Sequence, residues 1–191
     1  MPAVVRDSRS SVKTDPLRNF RFQVNIYHNT RKGSMAAHLG FMSCAGLSVE
    51  TDLIAYRQGG MNTTTQKMPG QTNFPPLSLS RGMMVGSEDQ YLWFKEIFSV
   101  IAGGGTGPNA ANHNDFRSDV EIFVLAHPWT KSTSVPIKAK FYVYNAWPQS
   151  LSYSDLDAGG NAIIMESMVL QHEGFKVGYA PDNAASEAQY V

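Results

Sequence analysis

The sequence predicts a mainly β fold of the α+β class: a β-sandwich or partly open barrel with one packed α-helix and a long projecting β-hairpin. Several short segments alternate between apolar and polar residues, which is the pattern of half-buried strands. Only residues 87–101 carry the 3.6-residue spacing of an amphipathic helix. Since no linker or internal repeat divides the chain, we expect a single domain spanning residues 1–191.

Five segments are predicted to be core strands. Residues 20–27, 77–82 and 137–144 alternate between apolar and polar side chains, so each has one face toward the core. Residues 120–126 and 163–170 are apolar on both faces, which is typical of strands covered on both sides. One helix cannot cover so much second-face surface, so either two sheets pack on each other or neighbouring subunits bury part of it.

The hairpin is predicted at residues 47–67, with its turn at Gly59 and Gly60. Its return strand is rich in threonine and carries too few apolar residues to belong to a core. We therefore expect the hairpin to project from the body. A loop bracketed by two proline-containing dipeptides, at residues 69–76, is predicted to follow it.

The helix is predicted to start at Ser87, whose side chain caps it together with Gln90 three residues later. Its apolar side chains cover about half of the circumference, which predicts deep packing against a sheet. Three polar or glycine-rich segments are predicted to be flexible: an N-terminal arm at 1–14, a Gly/Asn-rich loop at 103–115, and a C-terminal tail at 178–191.

Charge and cysteine content exclude several classes of protein. Sixteen basic residues balance sixteen acidic ones, so no long-range field favours nucleic acid or an anionic membrane. Charged residues make up 17% of the chain, below the roughly 25% of typical soluble domains, which suits contacts with other proteins. The single cysteine, Cys44, cannot form an internal disulfide. The polar N-terminus predicts synthesis in the cytoplasm without a signal peptide, and no segment predicts membrane insertion.

No motif predicts catalysis or a cofactor. The five histidines lack the spacing of a zinc site, and no nucleophile elbow is present. The glycine run at 103–107 follows the helix and lacks the Gly-Lys-Ser/Thr of a phosphate loop. We therefore predict a protein that is not an enzyme and binds no cofactor or metal.

The segment from Asp155 to Glu166 is the best match to a cation motif. It has Asp155, Asp157, Gly160 and Glu166 at positions one, three, six and twelve of a calcium loop. The fifth position is glycine, however, and Glu166 falls on a predicted strand that would carry it away from the loop. A simple turn between strands is therefore favoured.

Four segments, in this order, resemble the inner tube proteins of contractile phage tails and of related contractile injection systems. They read DPLRNFRFQV, GFMSCAGLSVETDLIAYRQGG, KMPGQTNFPPLSLSRG and NAWPQSLSYSDLDAGGNAIIMESMVLQHEGF. By analogy the fold is similar to that of the type VI secretion tube protein. The resemblance implies hexameric rings that stack into a rigid tube, which sheath contraction drives forward to deliver cargo or pierce an envelope.

The resemblance also implies partners and contact residues. The partners are further copies of the chain, the sheath, baseplate, spike and cap proteins, and effector cargo in the lumen of a particle made in bacteria. Trp147–Pro148 matches a turn of the family. The implied assembly residues are Asp15, Pro16, Arg18, Tyr56, Arg57, Gly59, Gly60, Asn62, Thr64 and Lys67.

An alternative function remains open from the sequence, that of a carbohydrate- or ligand-binding β-sandwich module. Such a module needs exposed aromatic side chains around a concave face. The periodicity instead assigns most aromatics to core-facing or turn positions, namely Phe20, Phe22, Phe94, Phe98, Phe141 and Trp147.

Overall fold

The computed structural model of the chain describes residues 17–28, 40–60, 63–84, 88–101, 116–126, 137–180 and 189–190. The described elements are β1 Phe22–His28, β2 Ser43–Ala45, β3 Glu50–Tyr56, β4 Gln66–Asn73, β5 Leu77–Gly82, α1 Asp89–Ile101, β6 Ser118–Leu125, β7 Ile137–Tyr153, β8 Met165–Gln171, β9 Gly174–Tyr179 and β10 Gln189–Tyr190. The mainly β class with one helix is confirmed. No helix within these ranges is long and apolar enough to cross a membrane.

Eight of the strands form one branched, antiparallel sheet in the order β1-β6-β7-β8-β5-β2, with β9 beside β7 and β10 beside β9. The branch lies on β7, which is 17 residues long. Its first half pairs with β6 and β9, and its second half pairs with β8. In the described part of the chain, β1 and β2 each have one unpaired edge, so the sheet is open and does not close into a barrel.

β7 bends at Asn145, and this bend is called the corner of β7 below. The resemblance to tube proteins predicts a turn just after it, at Trp147–Pro148, and that prediction is wrong. Asn145 has a φ of 54°, which bends the strand, and Trp147 then pairs with Gln171 of β8. Pro148 is fully buried, and the register shifts between it and Ser150. A bulge tolerates proline because the missing N–H is not needed in the ladder. The strand thus passes from one half of the sheet to the other without ending.

The core lies between the two halves of the sheet. Alternate residues of β1, β6 and β7 face alternate residues of β5 and β8, and one tryptophan of α1 joins them. The buried cluster consists of Val24, Ile26, Leu77, Leu79, Trp93, Val120, Ile122, Val143, Ala146, Met168 and Leu170. Two halves of the sheet therefore cover each other, which is one of the two arrangements expected from the two-sided apolar strands.

Phe20 does not belong to this core, contrary to the prediction from alternation. Its side chain is 62% exposed, and β1 begins two residues later at Phe22. The partner strand β6 ends at Leu125, whose N–H donates to the carbonyl of Arg21 at 3.0 Å. Phe20 thus lies beyond the last paired residue, where alternation no longer implies burial.

The helix packs less deeply than predicted. Trp93 is 1% exposed and its indole N–H donates to the carbonyl of Phe116 at 2.8 Å, and Gln90 is also buried. Four apolar side chains of the helix remain exposed in the single chain: Tyr91, Leu92, Phe98 and Ile101. The helix meets the sheet along one narrow face, so the width of its apolar stripe overstates its burial within one subunit.

Several predicted segments lie wholly or partly outside the described residues, namely the capping Ser87, the arm at 1–14 and the loop at 103–115. Parts of the predicted tail at 178–191 are strand. β9 continues to Tyr179, and Gln189–Tyr190 pairs with it as β10.

Candidate assembly surface

The hairpin of β3 and β4 is a separate two-stranded sheet, as the sequence predicts. It is longer than predicted, because β4 continues through Pro69 and Gly70 to Asn73 where a loop was expected. The register shifts between Thr51 and Leu53, and Pro69 lies opposite Leu53 just past this bulge. A bulge removes the demand for a ladder N–H, and so proline does not end the strand here.

Every residue of β3 is exposed, and both faces of the hairpin carry apolar side chains. Residues directly opposite each other in an antiparallel pair share a face. Ile54, Met68 and Tyr56 therefore lie on one face, and Leu53 lies on the other. An isolated two-stranded hairpin is at best marginally stable in water, and apolar side chains on both faces mark it as a surface for contact with protein.

The base of the hairpin is held close to the body. Gly46, just before β3, has a φ of 102°, and a Cβ built on it would lie 2.2 Å from the carbonyl oxygen of Pro76. Only glycine fits this close approach. After β4, the ring of Phe74 packs edge-on against Phe175 of β9 with a centroid distance of 6.0 Å. Both ends of the hairpin are thus fixed where they leave the sheet.

Charge is distributed unevenly along the hairpin. Glu50 and Asp52 lie near its base on β3, whereas Arg57 and Lys67 lie toward its turn. No aspartate or glutamate occurs between residues 53 and 87. The far end of the hairpin is therefore basic, which favours docking against an acidic or polar surface.

The structure places the predicted assembly residues in two regions. Tyr56, Arg57, Thr64 and Lys67 are exposed on the outer part of the hairpin. Gly59 and Gly60 form its turn; Gly60 has a φ of 92°, and a side chain on either would meet only open space. Arg18 is exposed just ahead of β1, and Asp15, Pro16 and Asn62 lie outside the described residues. That these residues contact another copy stays a prediction.

A buried charged cluster, which sequence reasoning missed, links the helix to the sheet. The Arg81 Nε donates to Glu166 Oε2 at 2.7 Å, and both residues are almost fully buried. With the Gln90 amide oriented so that its nitrogen faces the carboxylate, it donates to both Glu166 oxygens at 3.0 Å. Burial, followed by the charge of Glu166, raises the pKa of Tyr153. The only sequence signal was an arginine and a glutamate at core-facing strand positions.

This cluster also bears on whether the segment from Asp155 to Glu166 is a calcium loop or a turn. Glu166 is paired with Arg81 inside the protein and does not face the loop that begins at Asp155. The Asp157 Oδ1 instead accepts from the N–H of Gly159 at 2.9 Å, which is turn chemistry. In the part of the chain that the structure describes, no group of His, Cys, Asp and Glu side chains could hold a metal ion. The favoured interpretation as a turn is confirmed.

A second polar network supports the corner of β7. The Tyr142 hydroxyl donates to Asp119 Oδ2 at 2.6 Å, and the backbone N–H of Asn145 donates to Asp119 Oδ1 at 3.1 Å. The Asn145 side chain donates to Glu173, which also pairs with Arg117 at 2.7 Å. Burial and the bond to Asp119 raise the pKa of Tyr142 to about 12. These bonds hold Asn145 in its left-handed conformation, which asparagine tolerates better than most residues.

The lone cysteine carries no sign of chemical activation. Burial raises the pKa of the Cys44 thiol to about 11, so it is protonated at neutral pH. Its side chain packs against the core cluster beside Leu79, its partner across the β2–β5 pair. Cys44 therefore acts as a small apolar residue.

Comparison with known proteins finds one matching family and several similar structures. Residues 18–176 match the family described as T4-like virus tail tube protein gp19. The fold is similar to a chain of the anti-feeding prophage baseplate (TM-score 0.67, 21% identity, covering 86% of this chain and 96% of that one). It is also similar to a chain of the anti-feeding prophage tube-terminating cap, with a TM-score of 0.63 and 26% identity, covering 87% of this chain and 93% of that one. A third similar chain comes from the PVC sheath–tube complex of an extracellular contractile injection system. Its TM-score is 0.64 at 23% identity, and the match covers 90% of this chain and 98% of that one. No curated protein matches the chain.

The matched range contains the hairpin, the helix and all of the branched sheet except β10 and the second half of β9. It also contains the segments on which the resemblance to tube proteins was based, apart from the first three residues of the first one. The chain belongs to the T4-like virus tail tube protein family.

Proposed function

We propose that this chain is the structural subunit of the inner tube of a contractile tail or injection system. Hexameric rings stack into a rigid channel that sheath contraction drives forward to deliver cargo or pierce an envelope. The observation that carries the proposal is the β3–β4 hairpin, which is exposed along its length and apolar on both faces. Membership of the tail tube family supports this role over that of a ligand-binding module.

Ring formation accounts for the open sheet. In the described residues, β1 and β2 end the path of strands, and each leaves backbone N–H and C=O groups without a strand partner. Exposed edges of this kind invite pairing with other chains, and closing a ring of copies covers them in a defined way. A closed ring built from identical contacts has a fixed number of subunits.

Stacking accounts for the hairpin. A contact between different surfaces of identical rings, repeated along one axis, does not close and therefore produces a filament. We propose that the hairpin makes this contact with an adjacent ring through Tyr56, Arg57, Gly59, Gly60, Asn62, Thr64 and Lys67, with the segment Asp15, Pro16 and Arg18 as a second contact. The basic far end of the hairpin favours an acidic or polar docking surface on that ring.

The proposed partners follow from the tube. They are the sheath around it, the baseplate with its spike at one end, the cap at the other, and effector cargo in the lumen. The similar chains come from baseplate, cap and sheath–tube assemblies, which supports these partners. The role is structural and not enzymatic, and the protein is part of a phage tail or a phage-tail-like particle.

Electron microscopy of the purified protein over a range of concentrations tests the proposal. We expect rings, and stacks of rings at higher concentration. Ile54→Lys places a charge on one hairpin face and should abolish stacks while rings persist, because strand edges are untouched. Leu156→Lys is the matched control, since Leu156 is also an exposed apolar side chain but lies outside the hairpin. A protein that stays monomeric at every concentration and with a baseplate present would refute the proposal.

A second variant tests the turn of the hairpin. Replacing Gly59 and Gly60 by valine should block stacking and leave the fold intact, because Gly60 has a positive φ that valine rarely adopts. Circular dichroism checks the fold and electron microscopy checks the stacks. Normal tubes from this variant would show that the turn is not part of the contact.

A further inference from the structure

The base of the hairpin contains a buried histidine that the role of the tube does not explain. His172 follows β8 directly and is 8% exposed. Its ring lies 6.0 Å from the ring of Phe74, at the end of the hairpin, and 6.3 Å from that of Phe175 on β9. Phe74 and Phe175 also contact each other. The three rings form one cluster, termed here the aromatic box, which ties the hairpin to β8 and β9.

Neither ring nitrogen of this imidazole makes a well-formed hydrogen bond within the described residues, although the backbone of Pro75 and Gly174 lies near the ring. Both His172 Nδ1 and Nε2 are buried. Burial lowers the pKa of His172, and the nearby backbone of Pro75 and Gly174 offsets this only in part. A neutral imidazole suits such a site, whereas a protonated one places a positive charge among apolar rings and away from water.

The ionisable groups around the box do not compensate a positive charge. The segment at 74–76 carries none. The adjacent Glu173 is engaged by Arg117 and Asn145, and Glu166 of β8 is paired with Arg81. On β9, Lys176 pairs with Tyr142 across the strands, one position away from the Phe175 face. The aromatic rings can attract a cation weakly, but they supply no hydrogen-bond acceptor for its N–H groups.

We infer that His172 and the aromatic box form an acid-sensitive latch that fixes the hairpin to the body of the subunit. Protonation of the imidazole drives it out of the box toward water, which releases Phe74 and loosens the base of the hairpin. The hairpin then loses the fixed direction that a contact with an adjacent ring requires. This last consequence rests on the proposed function, whereas the latch itself is a property of the single chain.

The sign of the pH dependence follows from the lowered pKa. The unfolded chain binds a proton at His172 near pH 6.5, the value of an unperturbed histidine, while the native chain still holds it neutral. The stability that the box contributes is therefore complete above about pH 6.5 and is lost as the pH falls toward the native pKa. The latch is closed at neutral pH and opens in mild acid.

Nuclear magnetic resonance and hydrogen exchange on the wild-type monomer test the latch. The His172 ring should titrate below about pH 6.5, and each unit of lowering corresponds to a tenfold change in the opening equilibrium. Amides at residues 66–77, corrected for intrinsic rates, should then lose protection at least about tenfold between pH 7 and pH 5. His172→Phe should remove this loss, whereas Glu173→Gln, which removes the adjacent carboxylate, should keep it. A His172 pKa at or above 6.5, or equal pH dependence in His172→Phe, would overturn the inference.

Tubes test the consequence for assembly. Wild-type tubes formed at pH 7.5 should separate into rings at pH 5, and His172→Phe tubes should stay intact. Wild-type tubes that remain intact at pH 5 would overturn the link between the latch and stacking. If no tubes form at pH 7.5, the proposed function fails, and the measurements on the monomer still decide the latch. Because the titration uses the wild type, the test does not depend on the folding of a variant.

Discussion

Removing the charge of Glu166 tests the buried cluster that joins the helix to the sheet. Glu166→Gln keeps the shape of the side chain but leaves the Arg81 guanidinium, bonded at 2.7 Å in the wild type, without its counter-charge. Both side chains are almost inaccessible to water, so solvent cannot take the place of the carboxylate. Breaking one partner of such a pair costs about 3–5 kcal/mol. We expect the free energy of unfolding to fall by about 3 kcal/mol, because a glutamine oxygen still accepts one bond.

The same cluster predicts what happens when both charges are removed together. Replacing a buried ion pair by apolar residues is often close to neutral, so Arg81→Met with Glu166→Leu should cost far less than the sum of the single changes. Gln90 then loses its acceptor, and a buried amide without a partner costs about 1–3 kcal/mol. Adding Gln90→Leu should recover that amount. These two comparisons separate the contribution of the ion pair from that of the amide.

Urea denaturation followed by fluorescence measures these changes. It should be done at a protein concentration at which electron microscopy shows only monomers, since self-association adds apparent stability that depends on concentration. For a chain of this length, a loss of about 3 kcal/mol lowers the melting temperature by roughly 6–12 °C. If Glu166→Gln costs less than about 1 kcal/mol, or if the single changes add without coupling, the cluster does not hold the helix as the structure indicates.

Four further predictions concern the fold around the hairpin, the corner of β7 and the turn at Asp157. Gly46→Ala should prevent stable folding, seen as lost cooperative melting, because its Cβ would collide with the carbonyl of Pro76 at 2.2 Å. Tyr142→Phe should cost about 1–2 kcal/mol in urea denaturation, since Asp119 loses its bond at 2.6 Å. In the wild type, the pKa near 12 predicts that Tyr142 ionises only at the alkaline end of an ultraviolet titration, and stability should fall as the pH rises from about 10 to 12. Calcium chelation should leave assembly and melting unchanged, because Asp157 bonds to its own turn.

Local alternation predicted the strands that have one face in the core. In β5, Leu77, Leu79 and Arg81 are all buried, as the period of two requires. The same pattern could not show that Arg81 is buried by a charge partner 85 positions away, since Glu166 is brought opposite it only by the pairing of β5 with β8. Alternation therefore predicts which side a residue faces, and the sheet topology decides what meets it there.

Two predictions based on proline are wrong, and both fail for the same physical reason. Pro69 and Pro148 were both expected to end strands, yet each lies within a strand next to a shift of register. Proline breaks a ladder only where its N–H is needed, and a bulge supplies a position where it is not. Bulges depend on the partner strand and cannot be recognised from one segment. The turn predicted at Pro148 would divide β7 in two, and the sequence therefore does not reveal that one strand joins the two halves of the sheet.

The helix and the hairpin both carry apolar residues that stay exposed in the single chain, and one explanation accounts for both. The predicted burial of the helix came from the width of its apolar stripe, yet Phe98 and Ile101 are exposed in the single chain. The hairpin, which is predicted to project from the body, exposes Leu53 and Ile54 on opposite faces. An amphipathic pattern records every surface that is removed from water in the working state, whichever chain covers it. We therefore expect substitutions at these exposed apolar positions to change assembly while leaving the folding of the monomer unaffected.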